Sequence, residues 1–429
     1  MSQCNSLADW LAYIERQHPQ SIAMGLDRVR DVATRMDLQR PAKKVITVAG
    51  TNGKGSTVAF IEAIARAAGW NVGAYTSPHL LAYNERVRID GRDVADAALV
   101  AGFKAVEAAR GETPLTYFEY GTLCALWLFQ RSQLDLAILE VGLGGRLDAV
   151  NLIDADVAVI TTVDLDHQDW LGNDREAIGL EKAGIARAGK PLVLGEDDPP
   201  SSVLGRAYAI GASALRANCD FFFEPMRATD VDPQLWCWRE VGCRMELPLP
   251  QLAAPAQLRN AATAIAALRA LRKPIPKPAI AEGIAATHLP GRLQRFERDG
   301  VEIILDVGHN PQAARELAAW LQQAPARGRT LAIFAALGDK DLQGVVAALA
   351  AHIDAWLLAG LDQAGPRGLA LAAFVGRLAG TVAADGAGFA TVAQALQAAC
   401  AGAGAGDRIL VFGSFHTVAA ALRCLQAPD

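Results

Sequence analysis

An apolar, β-branched run, Val45-Ile46-Thr47-Val48-Ala49, stops in a glycine-rich turn, Gly50-Thr51-Asn52-Gly53-Lys54-Gly55, and Ser56-Thr57 lead into an Ala-rich stretch of helical spacing from Val58 to Ala68. A strand, a flexible turn and a helix in that order direct backbone N–H groups and a helix N-terminus at one point, an arrangement suited to phosphate oxygens. Lys54 adds a mobile positive charge at the same point. The spacing departs from G-x-x-x-x-G-K-[ST]: the first glycine falls at Val48, and Gly55 follows the lysine, with Ser56 one place later. The competing reading is an ordinary glycine-rich turn. The strand before and the helix after favour a nucleotide site, with Thr51, Asn52, Gly53, Lys54, Gly55 and Ser56 as its contacts.

The rest of the chain alternates in the same manner. Short β-rich runs at 44–49, 71–75, 135–140, 156–162 and 190–194 are separated by helical patterns at 55–69, 96–110, 117–132 and 174–188, which predicts a doubly wound parallel sheet. From 217 to 248 the text changes to Phe221-Phe222-Phe223, Trp236, Trp238 and Leu247-Pro248-Leu249-Pro250, read as a small antiparallel β subdomain. Residues 256–272 return to helix. His288-Leu289-Pro290-Gly291-Arg292 reads as a linker. A second strand–helix series follows, with strands at 301–306, 329–335, 354–360 and 407–412 and helices at 311–323, 340–351, 390–401 and 415–425. The expected division is residues 1–288 and 289–429, the second part a smaller Rossmann-like α/β domain. Ala384–Gly388 and the Ala-Gly run 401–406 read as surface loops.

Composition narrows the function. The 429 residues carry a net charge of −5, which recommends no nucleic-acid partner. No apolar run approaches the roughly 18 residues of a membrane span, and the amphipathic N-terminus, with Asp9, Glu15 and Arg16, lacks the order of a signal peptide. Seven cysteines form no C-x-x-C pair, so reduced thiols in a cytoplasmic protein are expected.

Polar residues stand where a doubly wound sheet places its ligands, just past the carboxyl ends of strands. Thr76-Ser77-Pro78-His79 follows the second run, Glu140 and a glycine-rich word ending in Leu147-Asp148-Ala149 follow the third, and Thr161–His167 follow the fourth. A serine hydroxyl, a carboxylate and an imidazole on one edge suit Mg²⁺ only in part, since magnesium prefers oxygen; His167 would be an unusual ligand unless the site tolerates Mn²⁺ or is completed by water. From spacing, His167 is either a ligand or a capping histidine. Lys182 shares a helix face with Ile178 and Ile185, and either extends outward or sits neutral near a metal, where an amine can take up CO₂ as an anionic carbamate. In the second series, Asp306-Val307-Gly308-His309-Asn310-Pro311 ends a strand in a polar turn; Asp306 suits a ribose hydroxyl and His309 a phosphate. Gly413-Ser414-Phe415-His416 ends the last strand in a turn that opens a helix.

Together these words resemble the bacterial dihydrofolate synthase/folylpolyglutamate synthase family of the ATP-dependent Mur-ligase superfamily. Met24–Val29, Gly50–Thr57, Ser77–Leu80, Thr116–Glu119, Glu140–Asp148, Glu181–Ile185, Asp306–Pro311 and Gly413–Val418 stand in family order. The resemblance implies ATP-dependent addition of L-glutamate to 7,8-dihydropteroate and to tetrahydrofolates through an acyl phosphate. It implies ATP contacts also from Asn260, Arg292, Asp306 and His309. It makes Lys54, His167, Lys182 and Arg292 catalytic, and Ser77, Glu140, His167 and a carbamylated Lys182 the ligands of two Mg²⁺ ions, with K⁺ or another monovalent cation as a further cofactor. Thr116, Tyr117, Phe118, Glu119, Leu147, Asp148 and Ala149 resemble a dihydropteroate pocket, and Ser414 and His416 are candidate glutamate contacts. Two places depart from the family's words: Val150 precedes Asn151 where a threonine is usual, and Gly308 precedes His309 where an alanine is usual. Closure of the second domain over the first and a monomeric state complete the expectation. The rival readings are a cell-wall precursor ligase of the same superfamily and a nucleotide-gated protein without ligase activity.

Overall fold

The computed structural model describes residues 5–18, 20, 22–226, 235–251 and 256–426. These residues divide into two compact units, one running to Gln251 and resuming over Leu258–Thr287, the other comprising residues 256–257 and the chain from His288 onward.

In the first unit eight strands form one sheet: β1 (Ala42–Ala49), β2 (Val72–Tyr75), β3 (Val87–Ile89), β4 (Arg92–Asp93), β5 (Leu134–Glu140), β6 (Val157–Ile160), β7 (Pro191–Leu194) and β8 (Ser213–Arg216), in the order β4-β3-β2-β5-β1-β6-β7-β8. The six strands from β2 to β8 run parallel, and β3 and β4 add an antiparallel hairpin at one edge. Parallel strands need long crossovers, and these are supplied by helices such as Lys54–Ala67 between β1 and β2 and Arg175–Ala183 between β6 and β7. Val45, Ile46, Val48 and Ala49 of β1 are wholly buried, as expected of a central strand covered on both faces. The register aligns Val48 with Glu140 on one side and Ala49 with Ile160 on the other. The turns after β1, β2, β5, β6 and β7 therefore leave the sheet along one edge.

The tryptophan-rich segment forms the expected small sheet from β9 (Phe221–Pro225), β10 (Leu235–Glu240) and β11 (Cys243–Pro248), all antiparallel. Trp236 and Trp238 are fully buried there, and their indole N–H groups donate to Pro248 O at 2.8 Å and Ala262 O at 3.2 Å.

The second unit is a sheet of β12 (Gln294–Arg298), β13 (Val301–Asp306), β14 (Thr330–Phe334), β15 (Ala355–Ala359), β16 (Ala387–Phe389) and β17 (Arg408–Phe412), ordered β12-β13-β17-β14-β15-β16. Phe334 stacks on Phe412 at 4.9 Å in its core. Insertion of β17 between β13 and β14 brings the Asp306 turn beside the Gly413-Ser414 turn, since Asp306 and Phe412 are register partners.

The structure corrects several expectations. Ala387 and Gly388, the end of the loop expected over 384–388, instead pair with β15 together with Phe389 as an edge strand; three residues including a glycine are too few to show a period. Of the Ala-Gly run expected as loop, residues 403–406 lie outside any helix, and only its first two residues belong to the helix Val392–Gly402. The helix expected to reach residue 188 ends at Ala183. There Gly184 fits against Arg146, whose Cβ lies 2.4 Å from where a side chain at 184 would begin. The β3–β4 hairpin, β8 and β12 were not expected; each is short and lies at a sheet edge.

Candidate functional site

The glycine-rich turn is held from the neighbouring strand end. Thr51 N–H donates to Thr162 O at 2.8 Å, Asn52 N–H to Thr162 Oγ1 at 3.1 Å, and Thr161 Oγ1 to Asn52 O at 2.5 Å. The Thr51 hydroxyl bridges the Asp164 N–H and C=O, both at 3.0 Å. Gly50 has φ of +151°, and a side chain there would begin 1.9 Å from Thr161 Oγ1. Gly53 has φ of +86°, and its missing Cβ would lie 2.6 Å from Asn260 Oδ1. Only glycine meets both demands, left-handed backbone and close approach. Asn260, the resemblance's adenine-side residue, is thus packed on the turn. Lys54 Nζ donates to Gly50 O at 3.0 Å and Thr51 O at 3.2 Å, so the ammonium is positioned over the turn by its own carbonyls.

Candidate ligands stand on the segments after β2 and β5 and on the loop after β6. Ser77 N–H donates to Glu140 Oε2 at 3.2 Å, and that same oxygen lies 3.8 Å from where a Cβ on Gly55 would sit. Glu140 is buried. On the other side, His167 sits in the left-handed region at φ +52° and ψ +40° and begins the short helix Gln168–Leu171; its backbone N–H donates to Asp166 Oδ1 at 2.9 Å. Lys182 is 4% exposed and does not extend outward. Burial, reinforced by the charge of Lys54, pushes its ammonium down to about 7, against the pull of Asp166 and Asp148. Glycine permits this burial: a Cβ on Gly145 would fall 3.0 Å from Lys182 Cα, so the turn after β5 lies directly on the helix that carries the lysine. Arg146 N–H donates to Glu181 O at 2.9 Å, and Asn151 Nδ2 ties Arg146 O to Gly184 O at 3.0 and 3.2 Å.

The candidate dihydropteroate word divides in two. Thr116 caps the helix Tyr117–Gln130, accepting the Glu119 N–H at 3.2 Å, while Glu119 Oε2 accepts the Thr116 N–H at 2.7 Å and Oε1 pairs with Arg28 at 2.9 Å. Both side chains are buried and engaged in helix geometry. Phe118 lies over Gly142, where a Cβ would meet its ring at 2.7 Å, and its ring centroid is 5.8 Å from that of Tyr75. The Tyr117 and Tyr83 ring centroids stand 5.7 Å apart. Asp148 accepts the Leu143 N–H at 2.8 Å and the Val150 N–H at 3.1 Å; burial pushes its carboxyl up to about 7. Ala149 is buried and Leu147 half-buried behind it.

In the second unit, Asp306 accepts the Gly308 N–H at 2.7 Å and the Leu293 N–H at 3.0 Å, and burial raises its carboxyl above the ordinary range, opposed by Arg292. The small Gly308 is therefore no defect: a Cβ there would lie 2.9 Å from Asp306 Oδ1. His309 Nδ1 lies 2.9 Å from Val307 O, and Asn310 caps the helix Pro311–Gln323. The guanidinium of Arg292 stands 5.5 Å over the Phe415 ring. Ser414 is buried, and its hydroxyl accepts the Thr417 N–H at 3.0 Å. That is a helix cap, leaving backbone N–H groups as what this turn offers an anion. His416 is exposed. Sequence reasoning passed over Lys340, a buried cation in the turn after β14 with Asp339 at 3.8 Å; its signal was Gly338-Asp339-Lys340-Asp341 at a strand end.

Among the described residues no three of His, Cys, Asp and Glu gather as a metal site. By their chemistry Ser77, Glu140 and His167, oxygen donors with one imidazole, would suit Mg²⁺ or Mn²⁺ with phosphate or a carbamate completing the shell.

Residues 48–268 match the Mur ligase middle domain, and residues 291–415 match the family described as Mur ligase, glutamate ligase domain. Over 422 residues the chain is 47% identical to the dihydrofolate synthase/folylpolyglutamate synthase of Escherichia coli K12, covering 98% of this chain and 96% of that one. The chain belongs to the dihydrofolate synthase/folylpolyglutamate synthase family of Mur ligases. Among solved members, E. coli FolC in complex with DHPP and ADP superposes with a TM-score of 0.91 at 46% identity, over 98% of each chain. A bifunctional folylpolyglutamate synthase/dihydrofolate synthase with Mn, AMPPNP and L-glutamate bound gives 0.90 at 45%, over 99% of each. Among the described residues no helix is long and apolar enough to cross a membrane.

Proposed function

We propose that this chain is an ATP-dependent acid–amino-acid ligase that joins L-glutamate to 7,8-dihydropteroate and, in γ-linkage, to tetrahydrofolates, releasing ADP and phosphate. One observation carries the reading. A glycine-rich turn with Lys54 folded over it stands beside the Ser77–Glu140 pair, in a chain 47% identical over nearly its whole length to an E. coli dihydrofolate synthase/folylpolyglutamate synthase.

A carboxylate oxygen is a poor leaving group, so amide formation requires activation. The γ-phosphoryl group passes in line from ATP to the pteroate carboxylate: the bond from phosphorus to the ADP oxygen breaks as the bond to the carboxylate oxygen forms, giving an acyl phosphate. The uncharged amine of glutamate attacks the acyl carbon, phosphate leaves with the electrons of the broken C–O bond, and the amine proton passes to solvent. Lys54 is assigned to neutralise charge on the transferring group. The backbone of residues 50–55 holds the phosphates, and Asn260, against Gly53, takes the base side. In the second unit Arg292, Asp306 and His309 are assigned to the nucleotide. Buried Lys340 adds a cation suited to a carboxylate of glutamate, in place of the Ser414 hydroxyl that capping occupies.

Ser77, Glu140, His167 and Lys182, once carbamylated, would hold two Mg²⁺ ions, and a monovalent cation would complete the set. Bound there, divalent ions neutralise charge developing on the phosphates. An ammonium held near 7 by burial is neutral in a large fraction at physiological pH, the form that takes up CO₂. Phe118, Tyr117 and the Leu147–Ala149 turn supply the apolar wall for a pterin, with Thr116 and Glu119 holding that wall in place. We assign these roles to residues 1–288, the remaining chain to the second domain, and the working state to a monomer in the cytoplasm.

ATP- and Mg²⁺-dependent incorporation of labelled glutamate tests this, with 7,8-dihydropteroate and tetrahydrofolate supplied separately. Incorporation with both is expected. Incorporation with neither would redirect the assignment to muramyl substrates.

A further inference from the structure

Arg175 opens the helix that carries Lys182, two turns before it, and its guanidinium is engaged on three sides. Nε donates to Val163 O at 2.9 Å, while Nη2 donates to Asp198 O at 2.9 Å and to Glu196 Oε2 at 3.1 Å. Val163 lies in the loop after β6 that carries Asp166 and His167, and Glu196 stands two residues beyond β7. One side chain therefore ties a loop, a helix start and a strand end together. Asp174 caps the same helix through the Ala177 N–H at 2.8 Å, and Leu171, buried, packs on Gly144 at the loop's other end.

The pair is poorly arranged for stability. Glu196 has a side chain only 13% exposed; the Val163 N–H faces its carboxylate, and its buried Oε1 accepts no hydrogen bond of normal geometry among the described residues. Burying a carboxylate with one oxygen unsatisfied is costly, and such pairs fix geometry better than they add stability. The geometry to be fixed is unusual: His167 holds a left-handed backbone that a non-glycine residue keeps only when its surroundings impose it.

We propose that Arg175, anchored by Glu196, is a positioning residue that latches the Val163–Asp174 loop and so presents His167 to the divalent ion. The inference rests on the metal reading proposed above. Two segments distant in sequence, the loop after β6 at Val163 and the end of β7 at Glu196–Asp198, meet on this one guanidinium. Lysine is a point donor that cannot reproduce the three-way fork.

The test measures Mn²⁺ binding directly, from the electron paramagnetic resonance signal of free Mn²⁺, in the presence of AMPPNP, for wild type, R175Q, R175K and E196Q. Alongside, kcat and the KM for 7,8-dihydropteroate are measured as Mn²⁺ is varied. R175Q is expected to weaken Mn²⁺ binding on the order of 10–100-fold, the usual effect of removing a group that orients a ligand. Raising Mn²⁺ restores most of its kcat, and the KM for dihydropteroate stays within about twofold of wild type. R175K recovers part of the affinity, and E196Q shifts it in the same direction by less, with a side chain of unchanged size should R175Q fold poorly. A merely structural pair would lower thermal stability and leave Mn²⁺ affinity in place; that result in R175Q and E196Q overturns the latch. Failure of wild type to bind Mn²⁺ with AMPPNP overturns the metal reading beneath it and the latch with it.

Discussion

At the scale of single residues, Lys182 is where sequence and structure part most instructively. Helical spacing sets it beside Ile178 and Ile185 but cannot say what that face meets. The answer lies in another segment, at Gly145, whose missing side chain lets backbone pack against Lys182 Cα. The consequence is measurable. The ammonium titrates near 7 in the folded chain against an ordinary 10.5, so between those values the unfolded chain binds more protons and stability rises with pH. The slope reaches at most about 1.4 kcal/mol per pH unit for one group. Asp148 acts in the other direction and in another window: raised from 3.8 to about 7, it loses stability as pH climbs through that range. Denaturant unfolding from pH 7 to 10 should therefore show a rise that K182M, of similar length and no charge, flattens. In ¹³C-bicarbonate, wild type should show a carbamate carbon resonance that K182M lacks. A resonance of equal strength in the variant would remove Lys182 from the ligand set.

Elements were more legible than the contacts between them. The turn after β1 could be read because glycine, lysine and a following Ala-rich helix are local signals, whereas its attachment to Thr161, Thr162 and Asn260 comes from segments more than 100 residues away. The word Thr116–Glu119 was legible twice over. It resembles a pterin contact, yet Thr-x-x-Glu before an apolar helix is also a capping box, and the structure uses both side chains for the cap. The turn makes its own prediction. G50A would place a methyl 1.9 Å from Thr161 Oγ1 on a backbone at φ +151°, and overpacking of that kind costs roughly 1–3 kcal/mol. G55A has 3.8 Å to its nearest neighbour, Glu140 Oε2, and sits in a helix, where alanine exceeds glycine by up to about 1 kcal/mol. Urea unfolding should find G50A destabilised and G55A no less stable than wild type, with AMPPNP affinity lost in G50A. Equal midpoints for G50A and wild type would show the turn to be looser than its hydrogen bonds imply.

For the molecule as a whole, the question is how one chain serves two acceptors that differ in size and charge. The parallel sheet of the first unit presents, among the described residues, a glycine-rich turn after β1 with Lys54 folded over it and the Ser77–Glu140 pair alongside. Activation of a carboxylate by phosphoryl transfer needs that machinery whichever acceptor carries the carboxylate. Loss of one group that stabilises developing charge typically costs about 3–4 kcal/mol, a factor of roughly 10²–10³ in rate. K54A and E140A should therefore depress glutamate addition to 7,8-dihydropteroate and to tetrahydrofolate by the same factor. Dihydropteroate should also compete with tetrahydrofolate, raising its KM and leaving its limiting rate unchanged. Substitutions in the proposed pterin wall, F118A among them, should separate the two if that wall meets the acceptor and not the phosphoryl group. A variant of Lys54 that spared one ligation and abolished the other would mean that the two reactions are activated at different places. The fold, with its strand ends arrayed along one edge, would then have to supply a second phosphate-binding turn.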